Sequence, residues 1–215
     1  MAKLKMKNTL MGILAGILVI IMSTGIMLAF IHISDVPYIF EIDAQNIEES
    51  SKMDREEILS NYNAVLDYLS PFSSKEFSLP TLKFTEMGAY HFAECKVFFN
   101  VVYGSALLAG ILLVLLGLKN MFSSTSLIIG GAFGLCLPVT LGTAIAINFD
   151  KAFTFFHTLF FDGDTYLFDP AKDQIINILP PEFFMHCAIM FACFWIMTAF
   201  AVMFIGIVIK KKERS

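Results

Sequence analysis

Four uninterrupted apolar runs, at 9–33, 97–118, 126–149 and 183–209, constrain this chain more than any other feature of its sequence. Each reaches the roughly 20 residues that an α-helix needs to cross about 30 Å of hydrocarbon. None contains Lys, Arg, Asp or Glu, any of which would cost about 2.5–3.5 kcal/mol at a helix centre in the membrane. A bilayer core offers no water to satisfy open backbone groups, so runs of this kind are predicted to be spanning helices. The fold class read from them is an all-α membrane protein with four transmembrane helices and a small extracytoplasmic cap. Its expected parts are 1–33 (N-terminus and first span), 34–96 (cap segment), 97–118 (second span) and 119–125 (cytoplasmic turn). The third span at 126–149, a second outer segment at 150–182, the fourth span at 183–209 and a cytoplasmic tail at 210–215 complete it.

Basic residues set the orientation. Lys3, Lys5 and Lys7 precede the first run, Lys119 follows the second, and Lys210, Lys211, Lys212 and Arg214 follow the last. Cytoplasmic flanks carry such residues in excess, so both termini and the 119–125 turn are predicted to face the cytoplasm. The outer segments 34–96 and 150–182 then hold 18 of the 19 carboxylates but only 7 of the 15 Lys and Arg. With the acidic surface turned outward, nucleic acid is not an expected partner. The first run is longer than the apolar region of a secretory signal and lacks a small-residue cleavage site before Asp35, so it is read as retained.

The outer segments are where chemistry is expected. Val-Pro-Tyr-Ile-Phe at 36–40 reads as a short strand. Ser51-Lys-Met-Asp54 resembles a capping box, followed at helical spacing by Ile58, Tyr62, Val65, Leu66 and Leu69, and the helix is predicted to end near Ser70-Pro71. A helix running outward from the second span would carry Glu86, Tyr90 and Glu94 on one side, with His91 and Glu94 neighbours at i, i+3. The second outer segment surrounds His157 with phenylalanines. Phe153, Phe156 and Phe160 fall at i, i+3, i+7, one stripe if 150–161 is helical. A turn-rich stretch from Asp162 to Asp173 follows.

Aromatic rings at a membrane boundary also serve as an anchoring belt, and an interfacial histidine can be no more than a polar tip. His32 and His186, at span ends, are read that way. His91 and His157 differ in falling at one depth just outside the membrane, where imidazoles can carry protons near neutral pH. Cys136 and Cys193 read as packing residues within spans, whereas Cys95 and Cys187 share the outer boundary, where a bridge is open to them. No metal site is expected: His91, Glu94 and His157 would be the ligands of a metal-dependent hydrolase, but no HExxH or Asp-rich motif accompanies them. A small transporter or channel would also use four spans, though Lys, Arg, Asp and Glu, on which transport sites usually depend, are absent from the spans. A non-catalytic membrane partner is the remaining alternative.

Tyr90-His91-Phe92-Ala-Glu94-Cys-Lys96 before the second span, with Phe155-Phe156-His157-Thr-Leu-Phe160-Phe161 and Leu-Phe-Asp169-Pro-Ala-Lys-Asp173 before the fourth, resembles the lipoprotein intramolecular transacylases, called Lit. The resemblance covers essentially the whole chain. One departure is Cys95, where an aliphatic residue is expected. The resemblance implies an enzyme of Gram-positive plasma membranes, needing no cofactor, that acts on a diacylglyceryl-modified lipoprotein among membrane lipids. It would move the acyl chain from the middle (sn-2) glycerol carbon to the amine of the N-terminal cysteine, giving an N-acyl lyso-lipoprotein. It assigns catalysis to His91 and His157 at the extracytoplasmic face. Tyr90, Phe92, Phe153, Phe156 and Phe160 are then the expected substrate-binding residues, with Glu94, Lys96, Asp169 and Asp173 in support.

Overall fold

The structure, a computed structural model, describes residues 2–71, 73–161 and 163–215. Asp162, the first residue of the turn-rich stretch, lies outside them. Among the described residues there are no strands, and the helices are α1 (Ala2–Ile33), α2 (Val36–Ala44), α3 (Ile47–Ser51), α4 (Arg55–Leu69), α5 (Glu86–Leu118), α6 (Ser124–Gly134), α7 (Cys136–Ile147), α8 (Phe149–Phe160) and α9 (Pro181–Lys212), with a 3-10 turn at Gln174–Asn177. Four stretches are long and apolar enough to cross a bilayer: α1, α5, α6 with α7, and α9. This is a multi-pass, all-α membrane protein. The third stretch is not one helix. Pro138 has no N–H to offer the Gly134 carbonyl, and the Leu135 N–H closes on Ala132 O instead (3.4 Å), so α6 and α7 meet at Leu135.

The chain forms two compact units. One contains α1 as far as Ala29, then Val102–Ile147 and Ala188–Ser215. Its helices approach backbone to backbone at two adjacent glycines of α6. A Cβ on Gly130 would lie 2.8 Å from the Gly12 carbonyl oxygen, and one on Gly131 would lie 2.6 Å from that of Ala199. Small residues at such seams let helices gain van der Waals contact where lipid removes the hydrophobic drive. Trp195 Nε1 donates to Thr24 Oγ1 (3.1 Å), and Ser124 Oγ donates to Glu213 Oε2 (2.8 Å).

The other unit contains Phe30–Val101 and Asn148–Cys187. Its core gathers Tyr38, Ile42, Ile58, Tyr62, Val65, Ile175, Ile178 and Phe183. Tyr38 stacks on Tyr62 at 3.7 Å and its hydroxyl donates to Ile178 O at 2.6 Å. The expected strand at 36–40 is instead part of helix α2. Pro37 sits in the first helical turn, where its missing N–H has no intrahelical partner to lose. Tyr38, Glu41 and Ile42 are buried while Val36 and Phe40 are exposed, a helical period rather than an alternation. The cap of α4 also differs from the expected one. Asp54, not Ser51, accepts from the Glu57 N–H (2.8 Å), while the Ser51 hydroxyl closes α3 on Ile47 O (2.6 Å). The apolar face of α4 is buried at Ile58, Tyr62, Val65 and Leu69, and Leu66 packs beside it. Asn61, fully buried, ties α4 to the 79–82 segment through Thr81.

Candidate active site

Two elements of the second unit present the candidate histidines. The start of α5 is built on a buried carboxylate: Asp173 accepts from the Thr85 N–H (2.7 Å) and the Thr85 hydroxyl (2.9 Å). Thr85 Oγ1 in turn accepts from the Gly88 N–H (3.0 Å), and a negative group here complements the positive end of the helix. Gly88 has to be glycine, because a Cβ there would collide with the Asp173 carboxylate. His91 is carried on the next turn, buried at 6% exposure.

Helix α8 carries His157. Asn148 caps it by accepting from the Lys151 N–H (2.9 Å), and the Phe161 N–H closes on His157 O (2.9 Å). His157 is 8% exposed, and its Nδ1 lies 2.8 Å from the carbonyl oxygen of Phe153. A carbonyl can only accept, so Nδ1 carries the proton and the lone pair of the neutral ring sits on Nε2. Burial lowers the His157 pKa below the ordinary 6.5, opposed in part by the Phe153 carbonyl. The ring is therefore neutral at pH 7 and accepts a proton only as the pH falls below that of a solvated imidazole. Side-chain NMR on the protein in detergent micelles is expected to give a midpoint below 6.5 for His157. A midpoint at or above that value would mean that the ring is solvated.

The two imidazoles face each other with ring centroids 5.8 Å apart. Around them stand Phe153 (4.1 Å from His157), Tyr166 (stacked on His157 at 4.4 Å) and Phe161 (4.9 Å from His91 and 5.4 Å from His157). Phe168 lies 5.6 Å from His91. Glu94 Oε2 is 3.6 Å from His91 Nδ1, and the Thr165 hydroxyl bridges them at 2.7 Å from the carboxylate and 3.3 Å from the ring nitrogen. Cys95 Sγ lies 3.5 Å from His91 Nε2. Among the described residues no group of three or more His, Cys, Asp or Glu converges to hold a metal. An open depression on α8, lined by Asp150, Lys151, Thr154 and Phe155, includes neither histidine.

Comparison with known proteins decides the family. The profile of the lipoprotein intramolecular transacylase Lit matches residues 10–184. This chain belongs to the Lit family. It is similar over 96% of its length to the membrane integral lipoprotein intramolecular transacylase Lit from Bacillus cereus, at 32% identity, 97% coverage of that chain and a TM-score of 0.84. A variant of the same protein with one histidine replaced by arginine matches at 31% identity and a TM-score of 0.78, covering 99% of this chain and 95% of that one. An uncharacterized protein of Aquifex aeolicus is 29% identical over 148 residues, 66% of this chain and 68% of that protein.

Of the residues singled out in this Lit chain, His91, His157, Glu94, Phe153 and Phe156 come together. Phe156 meets His157 edge-on at 5.5 Å, and Phe160 stands against Phe156 and Phe98, each at 5.0 Å. The others have different surroundings. Tyr90 is exposed, and Phe92 is core, stacked on Phe77 at 4.6 Å. Lys96 donates to Ser73 O (2.8 Å) and lies over the Tyr68 ring. Asp169 pairs with Lys172 on an exposed turn (3.1 Å), and Asp173 caps α5. Cys95 and Cys187 are not bridged. The sequence reading missed Thr165, Tyr166 and Phe98, and gave Phe161 and Phe168 no role beyond their place in the motifs. Phe98 had a visible signal, since it lies at i+7 from His91 on the same helix face. It also missed the pairing of His186 with Glu41, a buried carboxylate 2.6 Å from the ring.

Proposed function

We propose that this member of a transacylase family moves the acyl chain on the middle glycerol carbon of a diacylglyceryl lipoprotein to the α-amine of its N-terminal cysteine. The observation that carries the reading is the pair of buried imidazoles, 5.8 Å apart within an aromatic surround. The segments 34–96 and 150–182 then lie on the extracytoplasmic side and the termini in the cytoplasm, as the basic flanks require. The α-amine, with a pKa of about 7.7–8.0, needs a proton acceptor as it attacks the ester carbonyl. A neutral imidazole such as that of His157 fills this role. The C–N bond forms, the tetrahedral carbon expels the glycerol oxygen, and an imidazolium returns the proton to it. No proton is gained or lost overall.

Attack within one molecule closes a medium-sized ring through the thioether, which a flexible lipid rarely adopts. An aromatic surround that holds amine and ester together offsets this, because orientation alone can contribute several kcal/mol. The reading is tested by incubating the purified protein with a diacyl lipoprotein and assaying the N-terminal amine with an amine-reactive label. The amine is expected to become blocked without loss of fatty acid. A free amine after full incubation would remove the proposal.

Transfer is direct in this reading, so no thiol is acylated on the way. Cys95→Ser is therefore expected to remain active, its Sγ serving only as a weak donor toward His91 Nε2. Complete loss of turnover, or an acyl group trapped on Cys95, would favour a two-step route.

A further inference from the structure

The Thr165 hydroxyl lies in the turn-rich stretch after α8, yet it meets two groups of α5. It is 2.7 Å from Glu94 Oε2 and 3.3 Å from His91 Nδ1, while the carboxylate and the ring are 3.6 Å apart. A hydroxyl has one hydrogen, and a carboxylate only accepts. The Thr165 hydrogen therefore points to Glu94, which leaves an oxygen lone pair turned toward the imidazole. Nδ1 satisfies that lone pair only by carrying the ring proton. The Glu94 side chain is 15% exposed and that of His91 8%, so neither group is freely exchanged with water.

We propose that Thr165 is a positioning residue: together with Glu94 it forms a one-way hydrogen-bond relay that fixes the Nδ1–H tautomer of His91. Nε2 is thereby left with the ring's lone pair, the weakly donating Cys95 thiol lying 3.5 Å from it. The Phe153 carbonyl does the same for His157, so both rings keep their lone pair on Nε2. A charge-assisted relay of this kind also stabilises the imidazolium once Nε2 takes a proton. The inference deepens the transacylase reading and rests on it, but the tautomer is measurable without turnover.

The test uses the full-length protein in detergent micelles, ¹⁵N-labelled at histidine, with a diacyl lipopeptide as substrate. Thr165→Val keeps the size and methyl packing but removes the relay, whereas Thr165→Ser keeps the hydroxyl and loses a methyl group. The wild-type spectrum is expected to show His91 protonated at Nδ1, and Thr165→Val is expected to shift population to the Nε2–H form. Turnover of Thr165→Val is expected to fall about tenfold or more with KM little changed, and Thr165→Ser to retain most activity. An active Val variant beside an inactive Ser variant would assign Thr165 to packing. An unchanged tautomer in Thr165→Val would equally overturn the relay. A wild-type protein that carries the Nδ1–H tautomer but transfers no acyl group would sink the transacylase reading and leave the relay standing.

Discussion

Replacing either His91 or His157 by alanine is expected to lower turnover by about 10²–10⁴-fold, the usual contribution of a positioned acid or base. That corresponds to about 3–5 kcal/mol of lost transition-state stabilisation. Both variants are expected to insert and fold, since neither ring is a member of the core that holds Tyr38, Ile58, Tyr62 and Ile178. The two remaining histidines are the controls. His32→Ala is expected to retain most activity. His186→Ala removes the partner of buried Glu41 and is expected to cost about 1–3 kcal/mol of stability. Its turnover per folded molecule should stay near the parent's. Kinetics normalised to folded protein separate these effects. If His186 or His32 proved essential while His91 proved dispensable, the assignment would be wrong.

The second large effect is expected in the aromatic surround. Phe153 touches His157 at 4.1 Å and also meets Phe184 at 5.8 Å, while Phe156 meets His157 edge-on at 5.5 Å. If these rings shape the space that folds the substrate back on itself, Phe153→Ala and Phe156→Ala each lose up to about a hundredfold in turnover. Apparent affinity should change little, because the lost contribution is orientation rather than uniform binding. Phe156→Leu, which keeps most of the apolar area, is expected to lose less than Phe156→Ala but to fall short of the parent. Phe153→Ala is expected to be the more sensitive of the alanine changes, its ring being nearer to His157. Steady-state kinetics in detergent micelles decide the matter. Unchanged turnover, or a loss confined to affinity, would return the stripe to an anchoring belt at the interface.

The spanning helices are legible in the sequence because the bilayer imposes a long and unforgiving pattern: a run such as 183–209 without a charge has few other destinations. Pro138 marked the break between α6 and α7, but an apolar run conceals a local change of helix. Val-Pro-Tyr-Ile-Phe misled for a different reason. Five residues are too few for periodicity to separate strand from helix, and the packing of Tyr38 on Tyr62 and Phe183 decides for helix. Tertiary contact of this kind overrides local propensity. The histidine pair was legible because each member lies near the end of an apolar run, and the start of α5 and helix α8 bring the two rings to 5.8 Å. Thr165 and Tyr166 were not, since a turn has no periodicity that says which side chains face inward. Nothing local joins Glu41 to His186 either; only the folded core brings α2 to the start of α9.

In the proposed reaction the acyl chain moves within one lipoprotein molecule. A crossover experiment addresses it most directly. Two diacyl lipopeptides are mixed with the purified protein, one with unlabelled acyl chains and one with deuterated chains on an isotopically heavy peptide. Tandem mass spectrometry then locates each chain. Intramolecular transfer predicts unchanged intact masses, with the acyl group on the N-terminal cysteine amine and every deuterated chain still on its heavy peptide. Unlabelled chains on heavy peptides, or masses changed by one acyl group, would contradict it.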